Sequence, residues 1–166
     1  RRCCAGVGEA PAALLAAAVL AQPGIASIES VPIEALRSDT LRTLELHDER
    51  IGLAHAMIVA GLLPSAASLE AISLNSFYHS PLSVKQLRGA EPVAGPIRLE
   101  GDGGLNVRPC HLTATSAIVI GALRSHNRSL TERGLPYNRI GADGARWIAC
   151  AAKCHGSSLR TLDLSN

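Results

Sequence analysis

Leu159-Arg160-Thr161-Leu162-Asp163-Leu164 has the form LxxLxL. The same form stands at Leu41-Arg42-Thr43-Leu44-Glu45-Leu46 and at Leu69-Glu70-Ala71-Ile72-Ser73-Leu74. A degraded copy is Leu130-Thr-Glu-Arg133-Gly-Leu135-Pro-Tyr-Asn138, in which Arg133 replaces one leucine and an asparagine closes the unit. Leu41 and Leu69 lie 28 residues apart, and Leu130 and Leu159 lie 29 apart. A recurrence of that length marks a supersecondary unit that buries its apolar face only by stacking on the next one.

The gaps between these units carry helix signals. After Leu135 comes Asn138-Arg-Ile140-Gly141 and then an Ala-rich run to Cys154. After Leu46 comes Ile51-Gly52 and a similar run to Leu63. Alanine and leucine favour helix in such runs. The N-terminal stretch Val7-Gly8 to Leu20 has the same shape, so Pro11–Ala21 is assigned to a repeat helix. The competing reading is a secretory leader, since two arginines precede this apolar stretch. It is too short to cross a membrane.

A larger duplication overlies the short one. Pro32-Ile33-Glu34-Ala35-Leu36-Arg37 resembles Leu82-Ser-Val84-Lys-Gln-Leu87-Arg88. Each is followed by a strand-like pair, Leu44–Leu46 and Ile97–Leu99, and then by Ala56–Leu62 and Ala117–Leu123. The second copy has an insertion near Arg108–Leu112.

These motifs resemble the ribonuclease-inhibitor-type leucine-rich repeat. The fullest match is LxxLxL…NxIGxxGAxxIAxAAK…SSLRTLDLSN over residues 130–166, and the poorest fits are Arg1–Gly6 and Phe77–Val93. The resemblance implies an α/β solenoid, or horseshoe, with parallel strands on its concave face and helices outside. It also implies one domain over residues 1–166, of about five strand–helix units. Its function would be that of a protein–protein interaction scaffold, binding through the concave face and carrying no enzymatic activity. The family also contains GTPase-activating regulators and innate-immune receptor repeats, so a regulatory subunit is the alternative.

The shape follows from spacing. In LxxLxL the leucines point inward and the residues between them point outward. Strands repeat about every 4.8 Å and helices about every 10 Å, so a stack of such units bends with its strands inside. The outward positions are Ser27 and Glu29; Thr43, Glu45 and His47; Ala71, Ser73 and Asn75; Arg98 and Glu100; Glu132 and Gly134; and Thr161, Asp163 and Ser165. The candidate partner-binding set is Thr43, Glu45, His47, Ser73, Asn75, Arg98, Glu100, Glu132, Thr161 and Asp163. The outward positions lean acidic, which predicts a protein partner with a basic surface. The asparagine that closes LxxLxLxxN fits only at Asn138; Glu49, Phe77 and Asp102 hold the other places, so the array is divergent. A bare last strand and an initial arginine predict a fragment of a longer array.

Composition is consistent with that reading. Hydrophobic residues make up 47% of the chain and aromatic ones only 2%, so small aliphatic side chains must fill the core. The net charge of +2 is scattered, with no basic face for nucleic acid and few rings to stack on bases. The five cysteines, Cys3, Cys4, Cys110, Cys150 and Cys154, are odd in number and irregular in spacing. They read as reduced thiols of a cytoplasmic protein.

Chemical motifs are weak. Cys150-x-x-x-Cys154-His155 could offer ligands from one helix face, but only Cys110-His111 could complete a zinc set. His47-Asp48-Glu49 with His55 could form a metal or acid–base group, yet polar residues are ordinary at a strand end. Gly101-Asp-Gly-Gly104 fits neither phosphate-loop pattern. Arg37 and Arg88 could meet a phosphate in a GTPase regulator; each follows a core-like leucine, which favours a structural role. No cofactor, metal or catalytic residue is predicted.

Overall fold

A computed structural model describes residues 10–46, 51–74, 82–88, 97–98, 112–124, 132–134, 140–154 and 161–163. Long helices alternate with short strands: α1 (Ala10–Ala21), α2 (Ile33–Arg37), β1 (Thr43–Glu45), α3 (Leu53–Leu62), β2 (Ala71–Ser73), β3 (Leu82–Ser83), α4 (Val84–Arg88), β4 (Ile97–Arg98), α5 (Ala114–Arg124), β5 (Glu132–Gly134), α6 (Gly141–Cys154) and β6 (Thr161–Asp163).

The strands form two sheets, β1-β2-β3 and β4-β5-β6. β1 and β2 run parallel with Thr43 opposite Ala71, Leu44 opposite Ile72 and Glu45 opposite Ser73. These partners are 28 residues apart. β5 and β6 run parallel with Glu132 opposite Thr161, Arg133 opposite Leu162 and Gly134 opposite Asp163, 29 residues apart. β4 pairs parallel with β5, Ile97 opposite Arg133 and Arg98 opposite Gly134. Arg133 therefore occupies the register place that Leu162 holds in the next strand.

One strand departs from the expected all-parallel arrangement. β3 lies antiparallel to β2, with Ile72 opposite Leu82 and Ala71 opposite Ser83. It falls in Phe77–Val93, the stretch that fits the repeat least. The Val84 N–H donates to the Glu70 carbonyl oxygen (2.8 Å), so the end of β3 is tied to the start of β2. With only seven residues between β2 and β3, this connection is short enough for a reversal, whereas a parallel return needs a crossover of a dozen residues or more.

The helices form the second layer. α1 packs on α3, α3 on α5 and α5 on α6, while short α2 and α4 pack on α3 and α5. The core lies between helices and strands and is aliphatic. Ile33, Leu36, Leu44, Leu46, Ile58, Leu63, Leu69, Ile72, Leu87, Ile120 and Leu123 are its largest fully buried side chains. Within β1 and β2, Leu44 and Ile72 are buried while Thr43 and Glu45 are exposed and Ala71 and Ser73 half-buried. This is the alternation a strand imposes on a sheet with one covered face.

Close packing explains two glycines. A Cβ on Gly144 in α6 would meet the Ile140 side chain, the Ala114 Cα at 3.1 Å and the Ala117 Cβ at 3.2 Å, so glycine lets α6 approach α5. Gly141, at the start of α6, has φ +64, a conformation open to glycine without steric penalty.

α1 is apolar throughout and has no charged residue. Ala16 and Val19 are buried, whereas Leu14 and Leu15 are 71% and 55% exposed. The segment after it differs from expectation. Ile28 and Val31 form an isolated antiparallel bridge around Glu29, whose φ is 48. Ser27 and Glu29 therefore do not lie on a strand of either sheet. The bridge closes a tight turn, and a left-handed residue cannot continue an extended chain.

Candidate functional site

Parallel register fixes the candidate face. In the first sheet Thr43 neighbours Ala71 and Ala71 neighbours Ser83, while Glu45 neighbours Ser73. The ladder is extended at both ends: the Leu46 N–H donates to the Ser73 carbonyl oxygen (2.8 Å) and the Glu70 N–H to the Arg42 carbonyl oxygen (2.8 Å). The result is a shallow strip of small side chains, with Thr43 and the Glu45 carboxylate standing exposed at its β1 border.

In the second sheet, Arg98, Gly134 and Asp163 share one row across β4, β5 and β6. Glu132 and Thr161 share another. Two steps of about 4.8 Å separate the outer members of the three-residue row, with a glycine between opposite charges. Of the ten candidate residues, Thr43, Glu45, Ser73, Arg98, Glu132, Thr161 and Asp163 lie on these strands. His47, Asn75 and Glu100 lie outside the described residues, as does Ser165.

A feature of this face went unread in the sequence. Arg42 Nη1 donates to Glu70 Oε1 at 2.8 Å, both side chains being well exposed. The two hold the second place of successive LxxLxL units, so the 28-residue spacing itself sets them side by side with opposite charge.

The arginines of the duplicated segment have a structural task. Arg37, the last residue of α2, donates through Nη2 to the carbonyl oxygens of Val19 (2.9 Å) and Leu20 (3.2 Å). Its Nη1 donates to those of Pro23 (3.2 Å) and Ile25 (3.3 Å). Arg88, the last residue of α4, donates through Nη2 to the carbonyl oxygens of Leu63 (2.6 Å) and Ala66 (2.9 Å). Each guanidinium satisfies carbonyls left open where a long helix ends, a place that also favours positive charge. Burial lowers the Arg88 pKa from its ordinary value, and the Asp39 carboxylate opposes that shift. Both arginines face backbone carbonyls rather than a ligand.

Asp39 makes the matching link between strands. It adopts φ 56. Its Oδ1 accepts the Ser68 N–H (2.6 Å) and its Oδ2 the Ser68 hydroxyl (3.1 Å), 29 residues along the chain. Aspartate tolerates this left-handed backbone better than most residues, and the two bonds hold the entry to β2 against the entry to β1.

The acid–base candidates do not assemble. His47, Asp48 and Glu49 lie outside the described residues. His55 has both ring nitrogens occupied: Nδ1 accepts the Gly52 N–H (3.2 Å) and Nε2 stands 3.5 Å from Glu29 Oε2. Among the described residues, no three His, Cys, Asp or Glu side chains stand close enough to hold a metal ion.

The cysteines need a correction. Cys150 is disulfide-bonded, so the reading of all five as reduced thiols does not hold there. Disulfides join residues whose Cα atoms come within about 7 Å, a proximity that irregular spacing along the chain does not reveal. The cytoplasmic expectation, which rested on reduced thiols, loses that support. Among the described residues, no helix is long and apolar enough to cross a membrane.

Comparison of the chain with protein-family models, curated proteins and solved structures finds no match.

Proposed function

We propose that the chain is a divergent leucine-rich-repeat array acting as a protein–protein interaction module, and that its strand face is the binding surface. The observation that carries this reading is the register. Thr43 and Glu45 are paired with Ala71 and Ser73, while Leu44 and Ile72 between them are buried. The outward residues of successive 28-residue units thus form one surface. A surface built on a hydrogen-bonded ladder loses little conformational entropy on association, which favours affinity. Glu45, Glu132 and Asp163 outnumber Arg98 on these strands, and a partner with a basic patch fits that balance.

The test is a binding comparison. The chain and a variant with Thr43, Glu45, Ser73, Arg98, Glu132 and Asp163 changed to alanine are each immobilised and exposed to native lysate. Recovered proteins are then titrated in purified form at rising salt. The reading expects a partner held by the parent and lost by the variant, with affinity falling as salt rises. Equal affinity for both proteins would move binding off the strand face.

A further inference from the structure

We infer that His55 is a proton-operated clasp between the start of α3 and the turn at Ile28–Val31; this is independent of any partner on the strand face. His55 is the third residue of α3, and its ring reaches back to the N–H of Gly52, the residue that precedes the helix. In the usual reciprocal arrangement a Ser or Thr there would answer with its own side chain. Glycine has none, so His55 makes the side-chain half of the cap alone. Nδ1 accepts the Gly52 N–H and therefore carries no proton, which places the proton of the neutral ring on Nε2.

Nε2 faces Glu29 Oε2 at 3.5 Å, and the His55 side chain is only 18% exposed. Glu29 reaches it from a left-handed backbone (φ 48) closed by the Ile28–Val31 bridge. An added proton must go to Nδ1. It turns the acceptor into a donor, so the Gly52 bond breaks and the charged ring pairs with Glu29. The cap of α3 is exchanged for an ion pair to the turn.

Other charges do not intervene among the described residues packed on α3. α1 has none. On α2, Arg37 is committed to the carbonyls of α1's end, and Glu34 is exposed. On α5 the only charged residue is Arg124, at the opposite terminus.

The test is nitrogen-resolved NMR of the whole chain from pH 8 to pH 5, with Gly52 amide exchange corrected for its intrinsic pH dependence. The expected result is an Nε2–H tautomer at pH 8. Protection of the Gly52 amide should then fall about fivefold as the ring protonates, the scale of one lost hydrogen bond. His55→Gln keeps an acceptor without a titrating proton, so its Gly52 protection should stay flat. An Nδ1–H tautomer at pH 8, or wild-type protection as flat as that of His55→Gln, overturns the clasp. The tautomer is read on the unmodified protein, so the inference stands or falls even where the variant does not fold.

Discussion

The chain builds the same element order twice, α2–β1–α3 and α4–β4–α5, and connects it differently each time. In the first copy seven residues join β1 to α3; in the second, fifteen join β4 to α5. Leu36 and Leu87 are buried at matching places. Arg37 and Arg88 follow them and reach carbonyls beyond the ends of α1 and α3. The unequal connection shows which parts the stack requires. Core leucines and the arginine must recur, because each new unit has to cover an apolar face and satisfy open carbonyls of the helix before it. A loop at the surface has no such duty, and added length there costs little.

Substitutions at matching places test that equivalence. Leu36→Ala and Leu87→Ala should each destabilise the fold by about 2–5 kcal/mol in urea melts. A neutral Leu87→Ala would show that the second copy is not packed like the first. Arg37→Met and Arg88→Met come next, at about 1–3 kcal/mol each, since carbonyls lose their donors. Arg37 serves four carbonyls and Arg88 two. Comparable losses would mean that burial and short bonds at Arg88 offset the smaller number.

The helix contacts allow a sharper comparison. Gly144→Ala, which drives a methyl into the Ala114 backbone, should cost about 1–3 kcal/mol. Gly61→Ala meets only the tip of Leu20, whose Cδ1 lies 2.7 Å from the added carbon. That tip can turn aside, and alanine favours helix by about 1 kcal/mol over glycine, so thermal melts should show a neutral or slightly stabilised protein. The smallest effect belongs to Arg42→Ala. Its pair with Glu70 is exposed, and about 0–1 kcal/mol is expected, shrinking further in high salt.

Much of this was legible in the residues. The distance between LxxLxL units set the register, because stacked repeats place equivalent residues side by side whatever their identity. The duplicated Leu-Arg ends of α2 and α4 were visible too, although a run of letters does not show what a guanidinium touches. Ser27 and Glu29 were misplaced because two outward positions in an apolar context look like a strand, and the Ile28–Val31 bridge that curls them into a turn is a tertiary contact. β3 was missed for the same kind of reason. Its direction depends on the hydrogen bonds that β2 leaves open beside it, and no local pattern records those.

Repeat length, core positions and the outward-facing residues of β1 and β2 thus follow from hydrophobic spacing, which acts locally and recurs. The reversal of β3, the bond from Asp39 to Ser68, the oxidation of Cys150 and the pairing of His55 with Glu29 were settled in three dimensions. Each joins groups far apart in the chain, and such a contact exists only once the stack has brought them within bonding distance.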